Sequence, residues 1–336
     1  MKEKIITAGD LNRICENIIE KGDTLLIPGI TGYNSINDSS QINLNSSALP
    51  TKISYKSFVF PKSEPVLYYK RSKNDVQLID VNEKGKNVII LGAKPCDANS
   101  INILKHLFNW DYSDEFFNLR EKHIIVIGLM CSYSDEYCFC TSVGSSPVSE
   151  KGSDIFLIPI DENNFAIRII TEKGNNFIEQ YSEYLKEADE KLSQSITEKV
   201  EQPEIAFEST EVFKWLGENF DSPKWEGIGN ICLSCAQCAF VCPVCHCFDI
   251  VDEDYSYSEG RRMKNWDGCQ FGNFTLHASG HNPRDIQSKR YRQRINHKFR
   301  YYPEKFGEIL CTGCGRCSRG CPVSINIKEI VSDCKD

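Results

Sequence analysis

The apolar residues of this chain fall first into short β-branched runs and later into helical spacings. Val88–Leu91 and Ile124–Ile127 are unbroken runs of the kind found in strands buried on both faces of a parallel sheet. Between them, apolar residues recur at helical spacing from Ala98 to Phe108, and Asp97 is placed to cap that helix. Strand, helix and strand in this order predict a βαβ unit with a right-handed crossover. Residues 10–21 predict another helix, capped by Asp10. Thr24–Ile27, Phe58–Phe60, Ile155–Ile158 and Phe165–Ile170 read as further short strands, and the charged stretch Asn176–Thr197 as a helix. Glu201–Glu208, broken by Pro203, marks a boundary, and from Glu211 onward the pattern is helical and rich in cysteine.

That second part carries one cysteine motif twice. Cys232, Cys235, Cys238 and Cys242 follow C-x2-C-x2-C-x3-C, with Pro243 next; Cys311, Cys314, Cys317 and Cys321 repeat it, with Pro322 next. This is the ligand run of bacterial two-cluster ferredoxins, in which three close thiolates wrap one face of an iron–sulfur cube and the fourth ligates the other cube. The spacing therefore assigns Cys232, Cys235, Cys238 and Cys321 to one [4Fe–4S] cluster, and Cys311, Cys314, Cys317 and Cys242 to a second. Structural zinc uses ligand pairs separated by a longer loop, and four thiols within eleven residues are too dense for that. The 68 residues between Cys242 and Cys311 are too many for a compact bacterial ferredoxin. The expected fold class is α+β. An N-terminal α/β domain with a mainly parallel sheet occupies 1–204, and a C-terminal α-helical, ferredoxin-like two-cluster domain occupies 205–336, with an insertion at 243–310.

The remaining cysteines form smaller groups. Cys96 and Cys131 each follow one of the two buried strands, and ligands in open α/β sheets collect at those carboxyl ends. Cys138 and Cys140 lie in a loop close enough to fold back on them. Cys96 also begins a helix, whose positive dipole end favours thiolate. These four are candidate ligands of a third [4Fe–4S] cluster; the alternative is that some are buried small apolar residues. Cys245, Cys247 and Cys269 either hold a further cluster, with His246, another ligand or none, or pack around the first two cubes. The second reading is preferred, because metal sites need such a surrounding shell. Cys15 and Cys334 carry no assignment.

With 40% hydrophobic and 26% charged residues the composition is that of a globular protein with a real core. A net charge of −8 argues against nucleic acid as a general partner. The N-terminus has no apolar signal core, and the longest apolar runs, such as Ile124–Met130, are far too short to span a membrane. A soluble, cytoplasmic protein of a reducing, anaerobic cell is expected. The charge is uneven: Arg261, Arg262, Lys264, Arg284, Lys289, Arg290, Arg292, Arg294, Lys298 and Arg300 all lie between the motifs. They either raise the potential of an anionic cluster or dock an acidic partner, or they form a solvated face with salt bridges. No G-x-G-x-x-G opens a helix after a strand, Gly227 and Gly229 in GIGN read as a turn, and no P-loop is present. His277 and His281 read as structural. No catalytic residue is assigned: the chain holds electron carriers but no evident site for converting a substrate.

A set of segments gives these cysteines a family context. KPCD at 94–97, DEYCFC at 135–140 and CLSCAQCAFVCPVCHCFDI at 232–250 are followed by WDGC at 266–269, SGHNPR at 279–284, HKFRYYPEKFG at 297–307 and CTGCGRCSRGCPV at 311–323. From about residue 55 to the C-terminus the chain resembles the iron–sulfur β subunit of soluble sulfhydrogenases, the hydrogenase/sulfur reductase complexes. It is also similar to one of the subunits of anaerobic sulfite reductase. The resemblance implies an electron-transfer subunit between a flavin subunit that oxidises NAD(P)H and a catalytic redox subunit, hydrogenase-like or sulfite-reductase-like, with ferredoxin as a further partner. It also supports Cys96, Cys131, Cys138 and Cys140 as shared positions. DEYCFC and HKFRYYPEKFG lean toward the hydrogenase side. The alternative is a self-sufficient iron–sulfur reductase with a flavin or substrate pocket in the α/β domain, which the missing nucleotide motif disfavours. A free ferredoxin-like carrier does not need so large an α/β domain.

Overall fold

A computed structural model describes residues 3–81, 85–188 and 190–335. Among these residues, twelve strands form two sheets. They are β1 (Lys4–Thr7), β2 (Thr24–Pro28), β3 (Tyr33–Ile36), β4 (Ser63–Arg71), β5 (Val76–Asp80), β6 (Val88–Ala93), β7 (Ile124–Leu129), β8 (Ile155–Pro159), β9 (Asn164–Ile169), β10 (Lys186–Glu187), β11 (Phe248–Asp254) and β12 (Glu259–Trp266).

The larger sheet runs β10-β1-β9-β8-β7-β6-β2-β3. Its centre is parallel, through the pairs β2–β6, β6–β7 and β7–β8, and its flanking pairs are antiparallel. The β-branched runs sit in the centre because those strands are covered on both faces and need no polar alternation. One face packs on helix Ala8–Glu20 through Ile14 and Ile18. The other packs on helix Pro95–Phe108 through Ile101 and Leu104. This mixed-sheet part and the largely helical part after it make an α+β protein.

The second sheet, β11-β12-β4-β5, is antiparallel throughout. It joins a hairpin of the cysteine-rich part to one of the N-terminal part. Helix was expected throughout the cysteine-rich part, and the hairpin escapes that reading because β11 carries charges on both faces. Cross-strand pairs stabilise it instead: Arg262 with Asp252 at 2.7 Å, Arg261 with Glu253 at 2.8 Å, and Lys264 with Glu64 of β4 at 2.6 Å.

Other local expectations are corrected by side chains with a different task. Thr7, not Asp10, caps the first helix, accepting from the Asp10 N–H at 3.0 Å. The second helix begins at Pro95 behind Lys94, which leaves Asp97 free inside its first turn. Phe58–Phe60 is not a strand but the end of a 3₁₀ turn, Tyr55–Phe58, and drops Phe60 against Phe108 and Trp266. The stretch 176–197 is not one helix. Glu172–Ile178, the 3₁₀ segment Glu179–Tyr184, β10 and Glu190–Thr197 follow one another, interrupted where β10 pairs with β1. GIGN lies inside helix Lys224–Ile231 rather than in a turn. Gly229 is needed there because a Cβ would stand 2.8 Å from the backbone of Ser288 on helix Gln287–Asn296.

One buried ion pair fastens the cysteine-rich part to the sheet. Arg316 bonds Asp97 at 2.7 Å, with the side chains 1% and 0% exposed. Arg316 also donates to the Thr51 carbonyl at 2.5 Å, while Tyr33 donates to the Asp97 carboxylate and Tyr55 to its backbone carbonyl, both at 2.9 Å. Removing one partner of a buried pair costs about 3–5 kcal/mol, because the other is left uncompensated. Arg316→Met is therefore expected to lower the anoxic melting temperature more than the double variant Asp97→Leu/Arg316→Met, in which no charge is stranded. Thermal melts of the two proteins side by side check this.

Candidate metal centres

The two cysteine motifs fold alike. Ser234 (φ 58°) and Ala236 (φ 56°) in the first are matched by Gly313 (φ 64°) and Gly315 (φ 70°) in the second. Left-handed residues at alternate positions curl each loop into a concavity of backbone N–H groups, which suits an anion. A short helix follows each loop, Gln237–Phe240 and Arg316–Arg319. The second loop requires glycine because residues 137–140 lie directly on it. A Cβ on Gly313 would strike the backbone of Cys140, and the Phe139 N–H donates to the Gly313 carbonyl at 2.9 Å.

Cys232, Cys235, Cys238 and Cys321 line one cavity. Cys242, Cys311, Cys314 and Cys317 line a second. Each thus gathers three thiols of one motif and the fourth of the other. Cys317 and Arg294 border both cavities. Cys235 is exposed, beside exposed Ile231 and Leu233, so the first cavity meets the surface. Among the described residues, no three His, Cys, Asp or Glu side chains stand where they could hold a single metal ion.

Besides Arg316, the buried cations Arg294, Lys298 and Lys56 face these thiols. Helix Gln287–Asn296 runs on into a π turn, His297–Tyr301, and Arg294 and Lys298, four residues apart in sequence, lie on either side of that junction. Lys298 Nζ lies 3.4 Å from Cys242 Sγ and 2.9 Å from the Leu310 carbonyl. Arg294 reaches Cys245 Sγ at 3.6 Å and the Cys238 carbonyl at 2.9 Å, and its Nε is buried without a partner. Lys56 donates to the Cys245 carbonyl at 2.7 Å and lies over the Trp266 ring at 4.0 Å. A buried cation without counter-charge costs several kcal/mol, so this environment calls for negative charge, which metal-bound thiolates supply. Burial pulls the Lys298 ammonium down, but Cys242 and Cys245 more than reverse this and hold it above its ordinary value. Burial pushes the Cys238 and Cys311 thiols up to about 12. Bare thiols there keep their protons, and metal loading releases them.

The basic stretch accordingly divides. Arg261, Arg262, Lys289 and Arg292 form ion pairs with Glu253, Asp252, Asp285 and Asp221 at the surface. Arg290, Arg294 and Lys298 are buried. Nothing local in the sequence marks Lys56 as part of this site.

Three of the four N-terminal thiols gather at one sheet edge. β6 and β7 are parallel neighbours with Val88 opposite Ile124, so Cys96 and Cys131 emerge together. A bulge after Leu91, with Gly92 at φ 82°, turns the chain before Cys96. Cys96 and Cys140 each lie within electrostatic reach of Cys131 and Cys314. Cys138 instead accepts from Arg319 at 3.1 Å, and Arg319 is paired with Asp135. Three of the four thiols thus gather beside the second cavity, and the fourth stands against Arg319.

Cys245, Cys247 and Cys269 divide between two contacts. Cys245 interacts with Cys242, and Cys247 with Cys269. The Cys247 contact holds Cys269 down at about 5 and pushes Cys247 up. Burial lowers His246 to about 4 and His297 to about 3, so these imidazoles, 5.3 Å apart, are neutral near pH 7. His277 and His281 face each other at 5.4 Å in an exposed loop. Cys15 and Cys334 are buried among apolar side chains.

Residues 231–325 match the family model of the 4Fe-4S dicluster domain. The match supports two [4Fe–4S] clusters in this segment and a general role in electron transfer. The chain is also 29% identical over 307 residues to sulfhydrogenase 2 subunit beta of Pyrococcus furiosus, covering 90% of this chain and 87% of that protein. No solved structure matches the chain. The dicluster match does not extend to Cys96, Cys131, Cys138 and Cys140. No helix among the described residues is long and apolar enough to cross a membrane.

Gly313→Ala, with its clash and strained φ, is expected to cost about 1–3 kcal/mol and to reduce the iron retained after anoxic reconstitution. Gly227→Ala, on a helix with no atom near its Cβ, is expected to leave iron unchanged. Iron analysis of both variants decides.

Proposed function

We propose that this chain is the electron-transfer iron–sulfur subunit of a cytoplasmic, multi-subunit oxidoreductase, passing electrons between a flavin subunit that oxidises NAD(P)H and a catalytic redox subunit. The observation that carries this reading is a continuous line of thiol-lined sites. It starts at exposed Cys235, passes the first cavity, the shared Cys317 and the second cavity, and reaches Cys96, Cys131 and Cys140 beside Cys314. Cys232, Cys235, Cys238 and Cys321 hold one cluster, Cys242, Cys311, Cys314 and Cys317 the second, and Cys96, Cys131, Cys138 and Cys140 a third. Bound there, [4Fe–4S] clusters supply one-electron transfer. The chain's own part is to exclude water with Tyr291, Phe299 and Ile327 and to hold positive charge with Arg294 and Lys298. The similarity to a sulfhydrogenase β subunit favours a hydrogenase-like over a sulfite-reductase-like partner.

Anoxically purified protein is expected to carry about twelve irons per chain, four for each of three cubes, and to leave NAD(P)H unoxidised with a dye acceptor in the absence of partners. Eight irons would remove the third site, zinc in place of iron the whole reading, and NAD(P)H oxidation by the chain alone would favour a self-sufficient reductase.

Lys298→Met should lower the reduction potential of the cluster held by Cys242, because a nearby cation favours the more negative, reduced state. Lys298→Arg should largely restore it. An EPR-monitored redox titration measures both.

A further inference from the structure

The β11–β12 hairpin closes on two thiols. Below the Phe248–Trp266 pair, the Asp267 N–H donates to the Cys247 carbonyl at 2.9 Å, and Cys269 follows two residues later. The Cys247 and Cys269 thiols are brought into each other's electrostatic reach by this closure, and neither is in a disulfide. A hydrogen-bonded path leads away from them. Gln270 Nε2 donates to Cys269 Sγ at 3.4 Å, and Gln287 Nε2 donates both to Gln270 Oε1 and to Cys232 Sγ, each at 2.9 Å. Buried Arg294 sends its charge toward Cys269 and Cys238 alike.

We propose that Cys247 and Cys269 are a redox-active dithiol–disulfide pair joined to the Cys232 side of the first cavity. This rests on the reading of the chain as an electron-transfer subunit. Oxidation removes two electrons and two protons from the two thiols and forms one S–S bond. Two single electrons and two protons from water reopen it. The electrons come from one-electron carriers, reduced clusters in the protein or reduced viologen in solution. The sulfur that leaves first departs as a thiolate, and Arg294 beside it stabilises that charge. Such a pair stores electrons two at a time beside carriers that move them singly.

The test uses the full, cluster-loaded chain under anoxic conditions. The protein is treated with a mild thiol oxidant and titrated with reduced methyl viologen while cluster EPR is followed. Samples are then denatured in alkylating agent for peptide mapping. A cross-linked Cys247–Cys269 peptide is expected before titration, giving way to two alkylated cysteines after it. Wild type should take up two more electrons than its clusters account for. Cys247→Ser and Cys269→Ser should each lose those two without losing iron. Free thiols at every stage, equal uptake by wild type and variants, or a metal retained by the pair would overturn the proposal. The wild-type peptide map decides even if a variant does not fold. Absence of clusters would overturn the electron-transfer reading, whereas a missing cross-link in iron-replete protein overturns only this one.

Discussion

The ion pair between Asp97 and Arg316 sets the relation between the parts of this molecule that carry sulfur. Asp97 follows Cys96 at the start of its helix, and Arg316 stands between Cys314 and Cys317. One salt bridge, fully withdrawn from water, thereby fixes the sheet edge against the second cysteine loop. Such a pair costs desolvation on both sides and is tolerated only with further partners. Thr51, Tyr33 and Tyr55 provide them. Burial, and then the Asp97 charge, pushes the Tyr33 phenol well up, so it remains a neutral donor near pH 7. The gathering of Cys96, Cys131 and Cys140 beside Cys314 depends on this clamp more than on any contact among the thiols themselves.

A second constraint is charge. The chain is acidic overall, yet its sulfur-rich interior is basic, with Lys56, Arg294, Lys298 and Arg316 all buried. Only Arg316 has a carboxylate partner there among the described residues. The other three face sulfur and carbonyl oxygen, so the stable form of this interior is one whose thiols have exchanged protons for metal.

How much of this the sequence reveals follows from which forces are local. The cysteine loops are legible because ligand spacing is set by the chain itself, and the parallel centre because strands covered on both faces must be apolar throughout. The β11–β12 hairpin is not, since its strands pair through charged side chains and lean on β4, nearly two hundred residues earlier. Asp97 has the composition of a helix cap, but Arg316, distant in sequence, claims its carboxylate. Gly227 and Gly229 resemble a turn until the close approach of Ser288 explains Gly229 inside a helix. Cys245, Cys247 and Cys269 form one group by spacing and two contacts in space, because the hairpin brings Cys269 to Cys247 while Cys245 stays with Cys242.

The repeat also extends beyond the eight motif cysteines. Cys242-Pro-Val-Cys245 is matched by Cys321-Pro-Val-Ser324, so Cys245 stands where the other copy has serine. What differs most is the cover over each loop. Gly268 packs on Ala236 of the first, and residues 137–140 pack on Gly313 and Gly315 of the second. Both covers bring sulfur with them: Cys269 to the neighbourhood of Cys238, and Cys140 to that of Cys314. They come from opposite sides of the first motif in sequence, one from the end of the β11–β12 hairpin and one from the sheet edge, yet each rests on left-handed positions of a curled cysteine loop. The duplicated loop is thus the fixed element, and the sulfur-bearing covers are what this protein adds to a bare two-cluster fold.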